Sequence, residues 1–92
     1  MVKHIEGGIS GRMLGSNSLF WMRDIAARLQ IKGVVFMQPD GSIRVKAEGE
    51  EDNLKEFTEK IKRGKVFSEL ENFYIRWSDP VEDLGNFFVA VN

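Results

Sequence analysis

Lys32-Gly33-Val34-Val35-Phe36-Met37-Gln38-Pro39-Asp40-Gly41-Ser42-Ile43-Arg44-Val45-Lys46-Ala47-Glu48 is the stretch that decides how this chain folds. Its first arm, residues 32 to 38, is β-branched and apolar around Val34, Val35 and Phe36. Pro39-Asp40-Gly41 is a tight-turn signal, since proline presets its φ and glycine tolerates the conformations that close a turn. The second arm alternates, with Ile43, Val45 and Ala47 on one face and Arg44, Lys46 and Glu48 on the other, as a half-buried strand does. The two arms read as an antiparallel hairpin with one face wet.

Upstream, Ile5 and Ile9 share a parity with Gly7 and Gly11, which predicts a strand over residues 3 to 12 that is short of side chains on its inner face. Gly15-Ser16-Asn17-Ser18 clusters turn formers and helix caps. Met22, Ile25, Ala26 and Leu29 then fall at helical spacing, so a helix is expected from about Leu19 to Gln30. Downstream, the acidic residues 50 to 52 complement a helix N-terminus, Leu54, Phe57 and Ile61 share one face, and Lys60, Lys62 and Arg63 precede a stop at Gly64. This places a second helix near residues 51 to 63. Phe73, Ile75 and Trp77 alternate against Asn72, Tyr74 and Arg76 as a fourth strand with its aromatic parity inward, Pro80 ends it, and Phe87 to Val91 supplies a last apolar strand.

The order β-α-β-β-α-β with a terminal strand predicts an α+β protein of the ferredoxin-like split βαβ type, with two helices on one face of a mainly antiparallel sheet. A length of 92 residues suits one domain, residues 1–92. Thirteen basic against fourteen acidic side chains give a net charge of −1, so neither nucleic acid nor an anionic membrane is an expected partner. The absence of cysteine excludes disulfides, thiol nucleophiles and cysteine zinc sites, and fits a cytoplasmic protein. No apolar run approaches the roughly 20 residues of a membrane span.

Few residues carry a chemical signal. His4 stands alone, without the partners that a triad or a metal site needs, and reads as an ordinary strand residue. Glu48, Glu50, Glu51 and Asp52 read as dipole complements before a metal site, and Lys60, Lys62, Arg63 and Lys65 as cations suited to a helix C-terminus. An RNA-recognition module shares the element order, but the third strand, Ser42 to Ala47, carries no aromatic side chain on which a base could stack. Gly11 to Ser18 is different, because it runs from a strand through a glycine-containing turn into a helix N-terminus, where outward amides and the helix dipole favour an anion such as phosphate.

Gly11-Arg12-x-x-Gly15, Leu29-x-x-x-Gly33, Pro39-Asp40-Gly41-Ser42, Glu48-Gly49 and Lys62-Arg63-Gly64, taken in order, resemble the acylphosphatase family, βαββαβ enzymes that hydrolyse carboxyl-phosphate mixed anhydrides without a cofactor. The family's phosphate loop, Gly-Arg-Val-Gln-Gly-Val-Gly-Phe-Arg, falls on Gly11 to Leu19. The resemblance therefore implies an anion loop at Gly15, Ser16, Asn17, Ser18 and Leu19. It also puts Leu19 where the family has the arginine that grips the phosphoryl oxygens, and Met37 where it has the asparagine that orients the attacking water. Asn17 replaces a loop glycine, which is expected to alter how the amides converge. Arg12, Asn17, Arg23 and Gln38 are poorly placed as substitutes. The expectation is a catalytically silent domain that binds a small anion or a protein partner; the alternative is an active hydrolase with a rewired site.

Overall fold

The turn at Pro39-Asp40-Gly41 closes with the Gly41 amide donating to the Gln38 carbonyl at 2.9 Å, and Gly41 takes a φ of +88° that suits glycine. The Asp40 carboxylate accepts from the Ser42 amide and hydroxyl at 2.9 and 2.6 Å. This computed structural model describes residues 1–12, 14–64, 70–80 and 85–90; the expectations for Lys65 and Val91 lie outside them. Along the chain run β1 (Val2–Gly11), α1 (Ser16–Arg28), β2 (Lys32–Met37), β3 (Ile43–Glu50), α2 (Glu51–Arg63), β4 (Leu70–Ser78) and β5 (Phe88–Ala90).

The strands form one sheet in the order β4-β1-β3-β2-β5. All pairings are antiparallel except β2 with β5. This is the expected ferredoxin-like βαββαβ arrangement. Ile5, Ile9, Val35, Ile43, Val45 and Ala47 form the covered face of the sheet, and Leu19, Met22, Ile25 and Ala26 of α1 join Leu54, Phe57 and Ile61 of α2 above it. Phe57, fully buried, meets Phe87 edge to face at 5.9 Å between ring centroids. Glycine on the inner face of β1 has a packing reason: a Cβ on Gly7 would come within 2.6 Å of the Ile75 side chain.

Two boundaries and the burial of one strand differ from the sequence reading. The first helix starts at Ser16, because Gly15 in extended conformation serves as its N-cap. It ends at Arg28, where Gln30 adopts a left-handed φ of +56° while its amide bonds to the Ala27 carbonyl and that of Ile31 to Ala26. That pair of bonds is a Schellman turn, usually built on glycine, so helical periodicity outruns the helix and Leu29 is only partly buried. On β4, Phe73 and Ile75 are partly buried and Trp77 is 41% exposed. Parity is as expected, but β4 is an edge strand of the sheet, so its inward side chains have sheet neighbours on one side only.

Gly33, with a φ of +149°, brings its backbone against β3 where a Cβ would collide with the Lys46 carbonyl oxygen, and at Gly64 a Cβ would collide with the Trp21 indole. Both glycines therefore answer to close approach, one within the hairpin and one between the helices. Among the described residues no helix is long and apolar enough to cross a membrane.

Candidate anion loop and catalytic positions

β1 stops at Gly11, Arg12 lies exposed in a turn, and Gly15 leads into α1. The helix start is closed locally: Ser18 donates its amide to the Gly15 carbonyl at 3.0 Å, and the Gly15 amide donates back to the Ser18 hydroxyl at 3.3 Å. Ser18 is fully buried. This is the reverse half of a capping box, and its signal in the sequence was the three-residue spacing from Gly15 to Ser18. It removes one loop amide from any anion. The amides of Ser16 and Asn17 occupy the first helical positions, where no intrahelical acceptor exists, and both residues are exposed. Asn17 lies in regular helix without positive φ.

Leu19 is 6% exposed and belongs to the main core. It sits on the inward face of α1, one turn before Met22. Met37, at the end of β2, is partly buried and packs against the same core. Both positions where the family pattern has polar groups thus contribute apolar packing, and neither offers a donor to the loop.

Of the conceivable substitutes, Arg23 and Gln38 are engaged elsewhere, while Arg12 and Asn17 are exposed. Arg23 is bonded to Asp24 at 3.2 Å and lies 5.0 Å over the Phe20 ring. The Gln38 side-chain amide lies 2.9 Å from the Ser42 hydroxyl, whose one proton it shares with Asp40, on the sheet face opposite to Met37. The Asp40 carboxyl is held below its ordinary range by the Ser42 hydroxyl first and the Ser42 amide second.

His4 is more than the isolated strand residue expected. It is 3% exposed, and its Nδ1 lies 3.0 Å from the Glu48 carboxylate across the β1–β3 pair. Glu48 therefore departs from the acidic run: Glu51 and Asp52 open α2, Glu50 is its N-cap, and Glu48 faces His4 in the sheet. At the other end of α2, Lys62 lies 5.5 Å over the Phe73 ring and Arg63 pairs with Glu59 at 3.6 Å. Among the described residues no group of three or more His, Asp or Glu side chains is placed to hold a metal ion.

The family model for acylphosphatase matches residues 5–89. An acylphosphatase from Petrotoga mobilis is 34% identical over 80 residues, covering 86% of this chain and 88% of the relative. One from Salinibacter ruber is 32% identical over 87 residues, covering 95% and 92%. The crystal structure of acylphosphatase from Bacillus subtilis superposes with a TM-score of 0.85 at 26% identity over the whole of both chains.

Proposed function

The chain belongs to the acylphosphatase family, and from that premise we propose that it is a catalytically silent member that acts by binding, without hydrolysing carboxyl-phosphate anhydrides. The observation that carries this reading is the burial of Leu19 in the core. Hydrolysis of an acyl phosphate builds negative charge on the phosphoryl oxygens, and a preorganised donor aimed at such charge is worth about 10² to 10³ in rate. At this site the fixed cation is replaced by a core leucine, the water-orienting amide by Met37, and the Gly15 amide is spent on Ser18.

What remains is the N-terminus of α1, with the amides of Ser16 and Asn17 and the helix dipole. That set favours an anion weakly, because no side-chain cation completes it. Inorganic phosphate is expected to bind at millimolar concentration or weaker and to shift the amide resonances of Ser16 and Asn17 in a titration. The rate of benzoyl phosphate loss with the purified protein is expected to equal the spontaneous rate in buffer. A parent protein that accelerates this reaction overturns the silent reading in favour of a rewired hydrolase, and directs attention to Arg12 and Asn17.

A further inference from the structure

The face of the sheet turned away from the helices holds a construction that the anion loop does not explain. Register places Tyr74 of β4, Gly8 of β1, Arg44 of β3 and Phe36 of β2 in one row across four adjacent strands. Tyr74 does not stand upright. Its ring lies across β1, in the volume that a Cβ on Gly8 would fill, and its hydroxyl accepts a bond from the Arg44 Nη1 at 2.8 Å. Glycine at position 8 thus lets an aromatic ring bridge from the edge strand and hold a guanidinium over the middle of the sheet. Tyr74 is 46% exposed, and Phe36 is partly exposed.

The next row supplies charge. Arg76, Glu6 and Lys46 are cross-strand neighbours, and Glu6 pairs only with Lys46, at 3.7 Å, among the described residues. Arg44 and Arg76 face no carboxylate within ion-pair distance among the described residues. The two rows line a shallow depression of about 310 Å³, with three cations against one carboxylate, on a chain whose net charge is −1. The balance of the whole molecule therefore conceals a cationic patch on this part of the face, whereas Glu48 and Glu50 lie further along β3.

We propose that this open sheet face, built on Tyr74, Arg44 and Phe36 with Lys46 and Arg76 beside them, binds single-stranded nucleic acid. Flat aromatic and guanidinium groups stack on bases whatever their sequence, and interleaved cations meet the phosphates. The third strand lacks an aromatic, as its sequence shows, and the stacking groups come from β2 and β4 with an arginine between them. Tyr74 and Phe36 arise three strand spacings apart, about 14 Å, too far for one base to touch both. A short polymer fits this row better than a mononucleotide does.

The test is fluorescence anisotropy with labelled oligouridine and oligothymidine octamers at about 50 mM salt, with amide shift mapping by NMR. Expected are binding of both probes and a salt slope near about −2, for three phosphates met by three cations. Tyr74→Ala should weaken binding about tenfold by removing one stacking surface. Arg76→Glu, on an exposed edge position that tolerates change, should weaken it further. Shifts should centre on Gly8, Arg44, Tyr74 and Arg76 and leave Ser16 and Asn17 unmoved. The proposal is overturned if neither octamer binds, or if a folded Tyr74→Ala protein binds as tightly as the parent, which reduces the face to bare charge. Tighter binding of an RNA duplex, or displacement of the octamers by oligoglutamate at equal charge, overturns it too, the latter in favour of an acidic peptide partner.

Discussion

Leu19→Arg separates a side chain turned into the core from one turned into the loop. In the structure the position is 94% covered, so removing leucine forfeits about 1.5–3 kcal/mol of transfer free energy, and truncations at such sites reach about 2–5 kcal/mol once the cavity is included. The arginine stem recovers part of this by running along apolar surface toward the helix end. A cation in the first turn of α1 opposes the dipole by about 0.3–1 kcal/mol. A net loss of about 2–4 kcal/mol is expected. With a urea dependence of about 1–3 kcal/mol per molar for a chain of this size, the midpoint should fall by about 1 M or more. Trp21, whose indole packs against Gly64 at the end of α2, reports on separation of the helices. Leu19→Met, which conserves volume, should lose under about 1.5 kcal/mol. If Leu19→Arg unfolds at the parent's urea concentration, residue 19 faces solvent at the loop, and the argument from burial to catalytic silence fails.

Phe57→Ala, which empties the centre of the core and breaks the contact with Phe87, should cost about 3–5 kcal/mol in the same assay; an unmoved midpoint would mean that α2 is not docked on the sheet. Leu19→Arg with Met37→Asn should recover more benzoyl phosphate hydrolysis than the product of the two single changes, because such groups act as a unit. Adding Ser18→Ala, which frees the Gly15 amide, should raise it again, and a folded triple variant with no activity would show that these positions do not form the family's site. The lowered Asp40 value means that its support of the hairpin turn is complete above the ordinary carboxylate range and is lost as pH falls through the depressed value. Exchange of the Ser42 amide, corrected for its intrinsic pH dependence, should quicken over that acid range, while in Asp40→Ala it should be fast throughout with no such inflection.

The hairpin and α2 were legible because their signals are local: a turn written in consecutive residues, a strict alternation, and a helix bounded by acids at one end and Gly64 at the other. The start of α1 was not. Ser16, Asn17 and Ser18 look like turn residues, and only the Gly15–Ser18 bonding shows that they form its first turn. Trp77 was misread as core because parity states which face a residue occupies and not whether its strand lies at the edge of the sheet. Leu19 and Met37 were matched to the family's catalytic positions by register against its pattern, and their inward packing became visible only in three dimensions. The cationic patch on the sheet was hidden for the same reason, since Arg44 and Arg76 lie on strands separated by a whole helix in sequence.

The position of β1 between β3 and β4 also sets an order of events during synthesis. β1 is made before either neighbour, and its second edge stays open until residue 78 has been added, several seconds after β1 itself at about 5–20 residues per second. Throughout that interval Ile5 and Ile9 belong to a strand with at least one open edge, the kind of segment that recruits other chains. Gly7 and Gly8, which the finished sheet needs for the Ile75 contact and the Tyr74 ring, lower the strand propensity of the same segment while it waits. Replacing either with a β-branched residue should therefore reduce the yield of soluble nascent protein beyond what the stability of the purified variant accounts for.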